Sequence, residues 1–365
     1  MSVREAMIVA GGAGRRLRPL TDTVPKPLVP FCGEPFLHGV LHRLAAAGVA
    51  RVWLVVGADT APFAVLRPVA GQLGLQLELV PEPTPLDTAG GVRSVIDRCE
   101  GSVLVLNGDV LTDLDLVAVA RRHEAAGAAA SLVLTRVPET STFGVCVLEG
   151  DRIVGFVEKP APGTLPDHDT VNAGTYVLEP SALQRFPVGR PLSFEREVFP
   201  GLVADGVHVQ GIVSAAAWAD LGTPERYLAG HRAALDGALH WPTLARYPAD
   251  ADGVRRGADV VVAGDARVVG PVLLADGARL GSGCTVGPHV VVGPGARVGA
   301  GSEVVDSVLG AATRLGVRVT ASGLATGTGA ILADGVTAEG PVLVGDGVVV
   351  PAGAALAPGQ HAGTV

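Results

Sequence analysis

The sequence predicts an α/β domain followed by a parallel β-helix. Three observations point there. Short β-branched runs alternate with amphipathic helical stretches up to about residue 130, the pattern falters near residue 238, and a six-residue apolar period takes over beyond it. A chain of 365 residues has room for two cores of ordinary size. Its 50 glycines and 27 prolines, near a fifth of the chain, predict a turn-rich but folded protein.

The first apolar run, AMIVAGGAG, follows Arg4 and Glu5 and runs straight into Arg15 and Arg16. It is too short and too interrupted for a membrane span or a signal peptide, so it reads as a first strand. RVWLVVG, LQLELV and SVLVLNGD repeat the type. Between them, FLHGVLHRLAAAG puts Phe36, Val40, Leu41 and Leu44 on one helical face, with Gly48 as its stop, and TAGGVRSVIDRC reads as another helix. The second half is richer in strand. FGVCVLEG and RIVGFVEKP predict an antiparallel pair around a Gly-Asp turn, and TPERYLAGHRAAL predicts a helix with Thr223 as N-cap and Pro224 in its first turn. That helix closes a first domain at 1–237. Residues 238–257 mix Pro, Asp, Arg and Trp without a period and read as a linker laid across the surface.

Residues 258–365 form the second domain. Val262, Val268, Leu274, Leu280, Val286, Val292, Val298 and Val304 recur at six-residue intervals, and a compact residue follows four places after each from Val268 on: Val272, Ala278, Cys284, Val290, Ala296, Ser302 and Val308. A helix face cannot hold a period of six. Short parallel strands winding round a triangular prism can, each coil supporting the next. The register slips after Leu309, and a looser repeat returns from Ile331 to Ala354.

Charge and cysteines narrow the function. With 28 Lys+Arg against 36 Asp+Glu the net charge is −8, which excludes a general attraction to nucleic acid and makes any phosphate site local. Cys32, Cys99, Cys146 and Cys284 are too scattered for a disulfide framework or a metal knuckle, so a reducing, cytoplasmic setting is expected. Of the 28 basic side chains only Lys26 and Lys159 are lysines, which singles them out.

Gly11, Gly12 and Gly14, directly after the first strand, offer backbone N–H groups with no Cβ in the way of a phosphate. A dinucleotide fingerprint does not fit, because Leu17 stands where its third glycine belongs and Pro19, Pro25, Pro27 and Pro30 forbid the long helix that should follow. No Gly-Lys-Ser/Thr of a Walker loop occurs. The continuation LRPLTDTVPKPLVP adds Arg16, Arg18 and Lys26 on a proline-stiffened segment. Here the chain resembles the sugar-1-phosphate nucleotidyltransferases, matching their signature at Gly11, Gly12, Gly14, Arg16, Leu17, Pro19, Leu20, Thr21, Pro25, Lys26 and Pro27. Arg15 departs from the usual Thr or Ser. The resemblance runs on through LDTAGG, LNGDVL, FGV, VEKP, VNAGTYV and WADLGTPE, and with the hexad tail it is closest to GDP-mannose pyrophosphorylases.

The resemblance implies a Rossmann-like catalytic domain with a mixed, mostly parallel sheet, and a left-handed β-helix. It implies attack of a sugar 1-phosphate oxygen on the α-phosphate of a nucleoside triphosphate, with pyrophosphate leaving. Such a transfer asks for alignment and charge neutralisation more than covalent chemistry. Asp109 and Asp220 match the family's Mg²⁺ ligands. Arg16 then meets the β- and γ-phosphates and Lys26 the α-phosphate. Gly11, Gly12, Gly14, Arg15, Glu82, Asp87, Thr88 and Gly90 fall on the nucleotide side. Lys159 pins the sugar phosphate, with Glu158, Asn172 and Gly144 at its hydroxyls and Glu195 as a looser candidate.

Guanine presents N1–H and N2–H₂ on one edge, so a carboxylate can accept both; the resemblance puts Glu82 and Asp87 beside the base, so one of them is expected to read guanine, though Asp87 stands where the family has Gly. Mannose 1-phosphate is the default acceptor. A carbocyclic pseudo-sugar such as valienol 1-phosphate, a thymidylyl or adenylyl transfer to glucose 1-phosphate, and a non-catalytic nucleotide-sugar sensor are the alternatives. An acyltransferase would need His289 as general base. His38 and His42 have ligand-pair spacing but no third partner. No nucleic-acid or membrane partner is expected, and the flat β-helix faces suit a homo-oligomer.

Overall fold

The computed structural model describes residues 3–12, 14–165 and 168–363. The chain folds as two compact units: Met1–Gly12 with Val40–Trp218, and Ala13–Gly39 with Ala219–Val365. The segment that carries the glycine-arginine signature therefore belongs, from residue 13 on, to the same unit as the β-helix.

The first unit is built on one nine-stranded sheet. Its strands are β1 (Glu5–Val9), β2 (Arg51–Gly57), β3 (Gln76–Glu82), β4 (Val103–Asn107), β5 (Ala130–Arg136), β6 (Gly144–Glu149), β7 (Arg152–Glu158), β8 (Thr170–Leu178) and β9 (Val209–Val213), in the order β3-β2-β1-β4-β8-β5-β9-β7-β6. From β3 to β4 all neighbours are parallel, and Val52–Val56 of β2 are buried on both faces, as the unbroken apolar runs require. The strand-rich second half is mainly antiparallel: β8 pairs with β4 and β5, and β6 with β7 around the Gly150-Asp151 turn, where Gly150 takes φ 63°. Only β5 and β9 are parallel there. Tyr176, Phe194 and Phe199 pack ring against ring at 5.0–5.2 Å in the core. These strands turn their C-terminal ends, Gly11-Gly12 after β1, Glu82 on β3 and Asp109 after β4, into loops, the places where open α/β sheets bind ligands.

The second unit holds the β-helix. Leu280, Val298, Leu315, Leu332 and Val350 are successive register partners in its interior. Leu280 pairs with Val298, eighteen residues on, or three hexads per coil, which fits the left-handed hexapeptide type. The slip comes earlier than the hexads imply. Val292 pairs with Leu309, seventeen residues on, and Val308 pairs with the outward Val291. Ser307, fully buried, turns inward in its place, with its hydroxyl bonded to the Val305 carbonyl. Cys284 is a core residue, and burial raises its thiol pKa.

The expected helix Pro224–Leu235 is present, with the Thr223 hydroxyl accepting from the Arg226 N–H. The segment 238–257 is packed rather than laid loosely over a surface: Trp241, Leu244 and Tyr247 are buried, and Trp241 stacks on Phe36 at 5.1 Å and meets Phe31 edge-on at 5.2 Å. A Cβ on Gly39 would lie 2.2 Å from the Trp241 ring, so only glycine lets the helix Phe36–Ala46 pass there. Among the described residues no helix is long and apolar enough to cross a membrane.

Candidate active site

The signature from residue 13 on lies in the second unit, where Arg16 and Lys26 converge on Asp220. Gly14 adopts φ 62° and starts the short turn Arg15–Leu17, while the Thr21 hydroxyl donates to the Gly14 carbonyl at 2.9 Å. A Cβ on Gly14 would be 2.9 Å from Lys26 Cβ, so this glycine serves both the left-handed turn and the approach of the lysine. Lys26 Nζ lies 3.5 Å from Asp220 Oδ1 with its side chain 10% exposed; Arg16 Nη2 lies 3.8 Å from Oδ2 and is 66% exposed. Gly222 lacks the Cβ that would stand 2.6 Å from that guanidinium nitrogen. Arg226, which sequence reasoning missed, completes the set with Nη1 2.9 Å from Oδ2. Its only signal was a basic residue in the first turn of a capped helix, a poor place for it on dipole grounds. Three cationic side chains thus gather around one carboxylate. Arg15 is exposed, and Arg18 ties to Asp22 at 3.2 Å.

The first unit carries the base-reading candidates. Glu82, at the end of β3, is 7% exposed, and its Oε1 is buried without a hydrogen-bond partner. Two glycines make room for this carboxyl: a Cβ on Gly91 would stand 2.3 Å from Oε1, and one on Gly11 2.9 Å from Oε2. Burial, offset in part by a hydrogen bond from the Leu86 backbone and helped by the Asp87 carboxylate, pushes its pKa up to about 7. Asp87 is differently placed. It opens the helix Asp87–Val95 at φ 62°, the conformation that explains the glycine expected there; its carboxylate caps the Thr88 N–H and pairs with Arg196. Glu82 is thus the carboxyl with acceptor capacity to spare. Thr88 is occupied as a pin, its hydroxyl donating to Glu195 Oε2 at 2.7 Å and accepting from the Phe194 N–H at 2.9 Å, while the Ser193 hydroxyl donates to the same Glu195 oxygen at 3.0 Å. Gly90 faces the Arg190 carbonyl, 2.9 Å from where its Cβ would be.

The acceptor-side candidates gather at the ends of β6, β7 and β8. Glu158 ends β7 opposite Gly144, where a Cβ would come within 2.9 Å of Glu158 Oε2 and 2.6 Å of the Phe156 ring. Lys159, at φ 46°, pairs with Glu158 at 3.0 Å and is 65% exposed. Asn172 spends its amide locally: Nδ2 donates to the Tyr176 hydroxyl at 2.8 Å and Oδ1 accepts from the Gly174 N–H, across a break in the β8 to β5 register.

Asp109, half-buried just past β4, and Asp220 are the metal candidates. Asp220 Oδ1 is buried and accepts no hydrogen bond, which fits a cation ligand. Among the described residues no three His, Cys, Asp or Glu cluster as a metal site would need. His38 meets Glu34 at 3.3 Å, and both nitrogens of His289 are held, by Asp236 at 2.9 Å and Asp306 at 3.4 Å.

Residues 5–237 match the Nucleotidyl transferase family. A mannose-1-phosphate guanylyltransferase of Mycobacterium tuberculosis is 40% identical over 286 residues, 75% of this chain and 79% of that relative. The catalytic subunit beta of a mannose-1-phosphate guanylyltransferase of Danio rerio is 38% identical over 236 residues, 62% of this chain and 63% of the relative. Among solved structures, HddC from Yersinia pseudotuberculosis complexed with GMP-PN superimposes with a TM-score of 0.52 at 25% identity, covering 62% of this chain and 98% of its own. Fold, signature and relatives agree, and the chain belongs to the nucleotidyl transferase family.

Proposed function

We propose that this protein transfers GMP from GTP to mannose 1-phosphate, giving GDP-mannose and pyrophosphate. The relatives' activity supports the reaction, and one observation in this chain carries the choice of base: a buried Glu82 carboxyl, unpartnered at Oε1 and set between Gly11 and Gly91. A carboxylate there accepts both N1–H and N2–H₂ of guanine, where adenine would present no such pair of donors.

A sugar 1-phosphate oxygen forms a bond to the α-phosphorus as the bond to the pyrophosphate oxygen breaks. The attacking group is already an anion, so no general base is required. Arg16, exposed, receives the β- and γ-phosphates; Lys26, only 10% exposed, faces the α-phosphate where charge builds. Lys159 with Glu158 orients the acceptor phosphate and sugar. The ligands assigned to Mg²⁺ are Asp109 and Asp220, and the ion supplies neutralisation of the phosphate oxygens.

The non-catalytic sensor loses ground because both carboxylates and both lysines are retained. The acyltransferase fails on His289, whose two nitrogens are already engaged. A cytoplasmic setting, supported by four free cysteines, and a homo-oligomer through β-helix faces that expose Val261 and Val349 belong to the proposal. So does catalysis by residues 1–237, with 258–365 as β-helix.

Pyrophosphate release measured with Mg²⁺ across nucleoside triphosphates and hexose 1-phosphates is expected to peak with GTP and mannose 1-phosphate; a peak with another pair would overturn the assignment. Glu82 gives a sharper test. Its carboxyl ionises as pH rises through about 7, so the KM for GTP should fall between pH 6 and 8. In Glu82→Gln that dependence should vanish and the preference for GTP over ATP drop by about 100-fold, a charge-assisted hydrogen-bond pair being worth roughly 3 kcal/mol. An unchanged preference would remove Glu82 from base recognition.

A further inference from the structure

We infer that the β-helix is the seat that positions the catalytic loop, with Asp346 as the positioning residue. The stretch between Arg16 and Lys26 is held at two points. The Thr23 hydroxyl donates to Asp346 Oδ2, across 323 residues of sequence. Pro19, buried, lies on two glycines of the same part of the β-helix: a Cβ on Gly345 would be 3.1 Å, and one on Gly363 3.2 Å, from Pro19 Cβ. Pro19 follows Arg16 by three residues and Thr23 precedes Lys26 by three, so both phosphate-binding side chains are tethered through a short, proline-stiffened lever. Within the lever, Arg18 to Asp22 and Thr21 to Gly14 remove the remaining freedom.

The β-helix itself separates structural from positioning chemistry at Asp346. The same corner recurs at Asp276, Asp334 and Asp346, whose Oδ1 accepts the N–H of Ala258, Val317 and Thr328 at 2.9, 2.8 and 2.7 Å. At each, the glycine that precedes that N–H leaves the carboxylate its space: a Cβ on Gly257, Gly316 or Gly327 would come within 2.1–2.4 Å of Oδ1. Oδ1 therefore does the work of the coil in all three. Oδ2 is the second oxygen, bound by Arg246 at Asp276 and by Thr23 at Asp346. Among the described residues Asp334 shows no such second contact, which makes it the internal control.

This inference rests on the transferase reading, and its test keeps the two apart. Thr23→Val removes the loop's hydroxyl and leaves the coil untouched. It should lower kcat about tenfold with the KM values for both substrates nearly unchanged, because misplacing a binding loop costs alignment in the transition state. Asp346→Ala should match it, the double variant should fall no further than either, and Asp346→Asn, which can bond both partners, should return most of the rate. Asp334→Ala should keep the wild-type kcat. In parallel, amide hydrogen exchange over residues 14–27 should quicken about tenfold in Thr23→Val and Asp346→Ala but not in Asp334→Ala. An inactive wild type would sink the transferase reading and leave the exchange result to decide the seat; unchanged exchange in Thr23→Val, or a wild-type kcat in that variant of an active enzyme, would overturn the seat alone.

Discussion

Asp220→Ala is expected to cut pyrophosphate release by about a thousandfold or more at saturating substrates, equivalent to roughly 4 kcal/mol of transition-state stabilisation. The size follows from the carboxylate's two duties. Its Oδ1, buried and without a hydrogen bond, is available to a cation, and both oxygens together organise Arg16, Lys26 and Arg226. In the proposed reaction, removing it takes away an assigned Mg²⁺ ligand and leaves the cationic side chains around it to repel one another. Asp220→Asn should do little better, since its amide N–H₂ faces the same cations. Steady-state rates across a Mg²⁺ titration check this: recovery at high Mg²⁺ would reduce Asp220 to a weak ligand, and wild-type rates would remove it from the chemistry.

Lys26 should show the next largest effect. Lys26→Ala is expected to lower kcat by about 100-fold with a small change in the KM for GTP, the signature of a contact made chiefly in the transition state. Lys26→Arg should fail to restore the rate. The side chain is 10% exposed and threads past Gly14 with no room for a Cβ there, so a wider, planar guanidinium cannot reach the same point. Rate measurements on both variants decide it, and a fully active Lys26→Arg would show that charge alone suffices.

Much of this was legible in the sequence because the signals were local or periodic. The hexads gave the β-helix, Thr223 and Pro224 gave the start of a helix, and Gly150 with Asp151 gave a hairpin. The signature gave Arg16 and Lys26, and WADLGTPE gave Asp220; the structure gathers all three in one unit. What escaped was set by packing between distant segments. A period of six cannot announce a coil one residue short, so the hexads count Val308 in the repeat where the structure places Ser307. Nothing local tells Glu82 from Asp87; burial of one and the Arg196 partner of the other do. The segment around Trp241 looked like a linker because its apolar residues have no period, yet they anchor on Phe31 and Phe36.

The scarcity of lysine has a chemical consequence. Only two ε-amines exist in the chain, and they differ sharply in exposure, 65% for Lys159 and 10% for Lys26. An acylating or carbamylating reagent selective for ε-amines would therefore act as a site-directed probe without any engineering. It would modify Lys159 first and Lys26 slowly, so the time course of labelling becomes a clock that separates the proposed acceptor side from the proposed donor side.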